Sequence, residues 1–354
     1  MHDRRPEILL LCQRNIREQY IHDEDLKRLE AFGDWSWVEC REGQVVSDRE
    51  DMNMAPTDQL RSADALVLGP GAPNITAAIM DQIPNLRFVG DMEGDRFART
   101  IDLDAAWQRK IRTVDTTNGS SYPVAEWALA LILISLRNAG AHFRNMIAGN
   151  TRKTHDDPGY FRGDLFGKRV GLIGCGHIGR RLIKFLRPFE CDTWVHDPYL
   201  PREMADAVGF TQTSLENVLT RCDVIVCLAP ITPRTKGMIG AREIELIPSG
   251  AVFINVSRGA VVDSHALIAR LKQGDIIAGL DVFDPEPVPA DSEILHLTNV
   301  FLSPHIAGVT AASYPRMFSL MTDELERFFH GHETLFDLTP RSMANRLGAD
   351  WVER

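Results

Sequence analysis

The chain has 354 residues, too many for one ordinary core, so two domains are expected. Its 44% hydrophobic and 25% charged content is that of a water-soluble globular protein. A formal net charge of −10 argues against a nucleic-acid or anionic membrane partner.

The first third alternates short apolar runs with helical patterns. Strands are expected at Ile8–Cys12, Trp35–Val38, Ala65–Leu68, Leu86–Val89 and Ile111–Val114, with helices such as Asp23–Phe32 and Ile75–Ile83 between them. That alternation predicts βαβ units and a parallel sheet. Pro123 to Asn138 then reads as a helix apolar nearly all round, opened by Pro123 at its first turn. Such a helix is expected to be buried on every side, in a domain seam or a subunit interface. A polar stretch, Asn150–Asp164, separates it from a second set of strands: Val170–Ile173, Thr193–Val195, Val224–Leu228, Val252–Val256, Ile276–Val282 and Val300–Leu302. Helical patterns fall at Ser214–Thr220 and Ser264–Lys272, and Ala311–Phe329 reads as one long helix before a polar tail.

Six cysteines (Cys12, Cys40, Cys175, Cys191, Cys222 and Cys227) show no metal-ligand spacing and mostly sit in apolar runs. They are expected to be buried thiols in a reducing compartment. The first residues lead straight into a strand without a signal-peptide pattern. The longest apolar stretch, Trp127–Leu136, is shorter than the roughly 20 residues of a membrane span. A cytoplasmic protein without a metal or a membrane is expected.

The most informative stretch follows the strand at Val170. Gly174, Gly176 and Gly179 form a G-x-G-x-x-G turn, a helical pattern follows, and a second strand ends at Asp197. Gly174 suits the tight turn, Gly176 lets backbone approach a pyrophosphate, and Gly179 lets the helix pack close on the sheet. His177 and Ile178 lie within the same turn and are counted with the cofactor contacts. Asp197 comes 18 positions after Gly179, near the spacing of about 20 for a carboxylate on ribose hydroxyls. A carboxylate there repels a 2′-phosphate, so NAD is expected over NADP. The blander reading is a glycine turn in an ordinary βαβ unit.

In a doubly wound sheet, ligands collect at the carboxyl ends of the strands. In this chain those ends are followed by Pro230, by Ser257-Arg258-Gly259, by Asp281 with Glu286 close behind, and by Ser303-Pro304-His305. An arginine, a carboxylate and a histidine thus arrive where a nicotinamide would lie. Hydride transfer to a 2-oxo acid needs a forked cation for the carboxylate and carbonyl, and an acid for the developing alkoxide. A carboxylate behind the imidazole orients it. Arg258, His305 and Glu286 can fill these roles. Taken singly, each is an ordinary salt-bridged, turn or loop residue; together they converge as a site must. The rings of His177 and His196 are read as idle, and His330 and His332 as residues of a polar turn.

These motifs, with Val124-Ala125-Glu126, Gly163 to Lys168, His196-Asp197-Pro198 and Leu228-Ala-Pro230, resemble the NAD-dependent D-isomer-specific 2-hydroxyacid dehydrogenases. The likeness is dense from Pro123 to Gly308 and thin before it. It implies two doubly wound α/β domains with a cleft between them: a Rossmann NAD-binding domain over 121–308 and a flavodoxin-like substrate domain over 1–120, completed by 309–354. It implies Arg258 on substrate, His305 as acid/base, Glu286 as its partner and Asp281 on the nicotinamide carboxamide. It further implies homodimers paired through the NAD-binding domain. The family's glycine-rich carboxylate loop corresponds to Gly90–Asp102, with Glu93 and Gly94 as substrate contacts. Here that loop is longer and carries acids and arginines, so Arg96 or Arg99 could meet a second anionic group of a larger 2-oxo acid; a solvated surface loop is the plainer reading. Co-repressors that sense dinucleotides, and formate or phosphite dehydrogenases, share the fold and stand as alternatives. Formate dehydrogenases carry an amide where this chain has Glu286.

Overall fold

A computed structural model describes residues 4–41, 44–45, 58–92, 100–151 and 163–347. The chain divides into two compact units, Met1–Ser120 with Thr310–Arg354, and Ser121–Val309.

The first unit holds β1 (Glu7–Cys12), β2 (Asp34–Arg41), β3 (Gln44–Val45), β4 (Ala65–Leu68), β5 (Phe88–Asp91) and β6 (Arg112–Asp115) in the order β3-β2-β1-β4-β5-β6. Five strands are parallel, wound as in flavodoxin, and only β3 pairs antiparallel, at the edge. Both faces are covered, which is why β4, and β1 from Ile8 on, are apolar runs rather than alternating. Leu9 and Leu11 pack with Leu66, Leu68 and Val89 on one face. Ile8 and Leu10 meet Phe88, Phe318 and Met321 on the other, so the returning helix Ser313–Phe329 completes this core. A side chain at Gly90 would come within 2.3 Å of the Met321 sulfur, a measure of how closely that helix lies on β5. Beyond it the buried Glu324 accepts the N–H groups of Leu335 and Phe336, and Leu338 joins β6 through Thr113.

The second unit is a seven-stranded parallel sheet of β7 (Arg169–Ile173), β8 (Asp192–His196), β9 (Thr211–Gln212), β10 (Val224–Cys227), β11 (Val252–Asn255), β12 (Ile277–Leu280) and β13 (Val300–Leu302). Their order is β9-β8-β7-β10-β11-β12-β13, so winding reverses between β7 and β10, where a Rossmann sheet takes its ligand. Strands β10, β11 and β12 are wholly buried along their length, and β7 is buried from its second residue on. The two doubly wound sheets are those the sequence predicts. The two-residue strands β3 and β9 carry no apolar run to announce them, and β5 begins two residues later than expected because Arg87 and Phe88 first bond to Asp64.

The apolar helix spans Ser121–Leu136. It lies on β12 so closely that a side chain at Gly279 would meet Leu131 and Ser135. Val124, Ala125, Ala128, Leu131, Ile132 and Leu136 are buried, whereas Tyr122 and Glu126 are exposed and Leu129, Leu133 and Ile134 are partly so. Within one chain the sheet thus covers one face of the helix and leaves the other partly open. The expected shortfall of a membrane span is corrected. By length and composition the helical run Thr117–Leu136 would suffice, but 56% of that window is buried within the protein.

Candidate active site

The helix His177–Leu186 starts at the reversal point, with Leu182, Ile183 and Leu186 turned into the core. Each glycine of the turn and first helical residues has a distinct reason. Gly174 has φ +93° and backs on to Ala229, a conformation and a contact that disfavour any side chain. A Cβ at Gly179 would press on the carbonyl of Gly174 at 3.1 Å. At Gly176, by contrast, a Cβ would meet nothing within 4 Å, so open space lies before the helix N-terminus. That is the cradle a pyrophosphate requires, and these residues fit a dinucleotide. Asp197 orders the cradle from the end of β8: its carboxylate accepts the N–H of Cys175 at 2.9 Å and of Tyr199 at 3.0 Å. The exposed His177 ring lies 3.4 Å from Arg180, and Ile178 is half-buried.

The strands are parallel, so the segments after β10 to β13 emerge side by side at one edge. Pro230 follows β10, exposed, with its carbonyl accepting the Thr235 hydroxyl at 2.6 Å. After β11 the buried Asn255 shapes the next turn. Its Oδ1 accepts both the N–H and the hydroxyl of Ser257 at 3.1 Å, and its Nδ2 donates to the carbonyl of Arg258 at 3.1 Å. Ser257 also touches the Cys227 thiol at 3.3 Å. Arg258 donates to the Ser257 carbonyl, and burial pushes its guanidinium below the usual arginine range while the charge of Glu286 acts in the opposite sense. Gly259 presses on the next loop so tightly that a Cβ would fall 1.9 Å from the Phe283 carbonyl group. The Arg258 turn and the loop carrying Glu286 are thus packed backbone to backbone.

Glu286 and His305 meet directly, Oε1 to Nδ1 at 2.6 Å. His305 sits in the left-handed region, φ +55°, where few side-chain-bearing residues are found. Asp281, fully buried at the end of β12, accepts the Ser303 hydroxyl at 2.5 Å, Ile306 N–H at 3.0 Å and Ala307 N–H at 2.9 Å. Its carboxylate is thus bound up in the turn that presents His305.

The structure accordingly brings together Arg258, Glu286, His305, Asp281 and Ser257 at one edge, with the glycine turn and Asp197 on the neighbouring strands. Glu93, Gly94, Arg96 and Arg99 lie outside the described residues. Sequence reasoning missed Asn255, whose position two residues before Ser257 at a strand end is the available signal for a side-chain-capped turn. His330 bonds the Glu326 carbonyl at its helix end, and His196 bonds the Thr213 carbonyl. All six cysteines are unpaired, and burial raises the thiols, Cys175 and Cys222 to about 12.

A Rossmann sheet with an open glycine cradle and a histidine–carboxylate pair at the same edge defines a dinucleotide-dependent oxidoreductase class. Residues 129–307 match the family described as D-isomer specific 2-hydroxyacid dehydrogenase, NAD binding domain. The chain is 30% identical over 314 residues to D-3-phosphoglycerate dehydrogenase of Methanocaldococcus jannaschii, covering 88% of this chain but only 56% of that protein. It is also 30% identical over 315 residues to formate dehydrogenase 2, mitochondrial, of Oryza sativa subsp. japonica, covering 86% of this chain and 81% of the relative. Among solved structures, a phosphoglycerate oxidoreductase from Rhizobium etli superposes with a TM-score of 0.79 at 26% identity, covering 94% of this chain and 98% of the other. The chain belongs to the D-isomer-specific 2-hydroxyacid dehydrogenase family and carries its NAD-binding domain.

Proposed function

We propose that the protein moves a hydride between nicotinamide and C2 of a D-2-hydroxy acid or its 2-oxo acid. The observation that carries this reading is the 2.6 Å contact of His305 with Glu286, on the segments after β13 and β12, the two strands that follow in order beside β11, which delivers Arg258. Arg258, whose charge is partly desolvated, holds the substrate carboxylate and carbonyl with a forked set of donors. His305 delivers a proton from Nε2 to the developing alkoxide, because Nδ1 is engaged by Glu286. Glu286 orients the ring and balances the charge that the imidazole carries before transfer. Gly174, Gly176, Gly179 and the backbone of His177 and Ile178 hold the pyrophosphate, and Asp197 takes the ribose hydroxyls, favouring NAD. Pro230 and Ser257 line the nicotinamide side, while the carboxylate of the fully buried Asp281, already accepting Ser303, Ile306 and Ala307, orders the turn beside it instead of reaching the carboxamide. Bound NADH supplies the hydride. Glu93 and Gly94 would contact the substrate carboxylate on resemblance alone.

The active form is a homodimer joined through the second unit, supported by the exposed Phe143, Met146 and Ile147 on the helix Ala139–Ile147. The unpaired, burial-protected thiols support a cytoplasmic location.

The test is NADH consumption by the purified protein over 2-oxo acids from glyoxylate to bulky, dicarboxylic and phosphorylated ones, with formate and phosphite oxidation run in parallel. Turnover with a 2-oxo acid is expected. Activity confined to formate or phosphite would replace the substrate class. NADH binding without any turnover would favour a dinucleotide-sensing regulator.

A further inference from the structure

His305 is held in a backbone conformation that persists only where its surroundings over-determine it. Those surroundings form one connected set. The His305 N–H donates to the Asp281 carbonyl at 2.8 Å and the Ser303 carbonyl at 3.0 Å. The Asp281 carboxylate takes the next two N–H groups, of Ile306 and Ala307, and the Ser303 hydroxyl. Ser303 is reached in turn by the indole of Trp127, Nε1 to Oγ at 3.0 Å, from the helix Ser121–Leu136.

The direction of this chain of bonds is fixed by chemistry. An indole N–H can only donate, and a hydroxyl has a single proton. Ser303 therefore accepts from Trp127 and must spend its own proton on Asp281. Ser303 and Asp281 are both buried, so each bond forgone would leave a polar group without water to replace it. Trp127 is also the one indole in its helix, and its N–H is turned to this turn rather than to solvent.

We propose that Trp127, Ser303 and Asp281 form a clamp that sets the His305 imidazole against Glu286, making Trp127 and Ser303 positioning residues of the reaction. The proposal rests on the acid/base reading of His305. It extends the site to the long apolar helix, one hydrogen bond away from the turn that His305 occupies. A shift of the ring by about 1 Å suffices to lower turnover substantially.

The experiment compares Ser303→Ala, Ser303→Thr and Trp127→Phe with the unaltered protein and with His305→Gln. Three quantities are read: kcat and KM for the best 2-oxo acid, NADH affinity, and the far-downfield proton resonance of the His305–Glu286 hydrogen bond in the substrate-free protein. Ser303→Ala should lower kcat about tenfold with NADH affinity within about twofold, and should broaden or lose the resonance. Trp127→Phe should act in the same direction by about threefold. Ser303→Thr, which keeps the hydroxyl, should restore both readouts. Unchanged kcat and resonance in Ser303→Ala and Trp127→Phe would overturn the clamp. His305→Gln identifies the resonance by removing it; if that variant kept normal turnover, the acid/base reading would fall, while the resonance in the other variants would still decide whether the clamp sets the ring.

Discussion

At the scale of single residues the site depends on geometry more than on charge. His305 is oriented by one 2.6 Å contact and by a backbone turn that few residues adopt, so replacing its ring removes the acid without disturbing the cradle on β7 and β8. His305→Ala should lower kcat by about a hundredfold or more, in line with the usual contribution of general acid–base catalysis, and leave NADH affinity unchanged. Stopped-flow turnover with fluorescence titration of NADH checks both, and near-normal turnover would put the acid elsewhere. Arg258→Lys should fail as well. An ammonium keeps the charge but cannot offer two parallel donors to a carboxylate, and the desolvated setting of Arg258 disfavours a compact, strongly hydrated cation. A rise in substrate KM with a fall in kcat is expected, and a KM unchanged from that of the parent protein would exclude Arg258 from substrate binding.

At the scale of elements, two glycines test opposite ideas. Gly259 is needed because the Phe283 backbone occupies the space beside it, so Gly259→Ala should cost about 1–3 kcal/mol in chemical denaturation and displace the loop of Glu286. Gly176 faces open space with ordinary φ, so Gly176→Ala should fold as well as the parent yet lose NADH affinity at least about tenfold, its methyl standing where the pyrophosphate approaches. Equal NADH affinity in Gly176→Ala would mean that the cofactor does not enter by this turn. The same elements show how far the sequence could be read. Buried parallel strands are near-continuous apolar runs, so β1, β4, β7, β10 and β11 were legible, as were the residues that follow β8, β11, β12 and β13: Asp197, Arg258, Asp281 and His305. The edge strands β3 and β9 were not, being two residues long and held by pairing alone. Nor was the bond of Trp127 to Ser303, since a tertiary hydrogen bond between positions 176 apart leaves no local pattern; the Asn255 bonds, three residues or fewer apart, had only the weak signal of an amide at a strand end.

At the scale of the whole molecule the remaining question is what covers the outer face of the apolar helix. The sheet accounts for one side of Ser121–Leu136, and the next helix, Ala139–Ile147, adds Phe143 at 65%, Met146 at 56% and Ile147 at 73% exposure. Scattered apolar side chains need no partner, but three large ones at i, i+3 and i+4 share one exposed face of the helix Ala139–Ile147. A second copy of the chain is the economical cover, because a two-fold axis lets one patch meet itself. Sedimentation velocity should therefore show a dimer at micromolar concentration. The double substitution Met146→Glu and Ile147→Glu should shift it to monomer, since carboxylates brought face to face across the axis must be desolvated together. The altered residues lie on a helix remote in sequence from every strand end that carries the site, so NADH affinity should survive the change. A monomer in the unaltered protein, or a dimer that persists in the variant, would place the contact elsewhere and leave this patch to another partner.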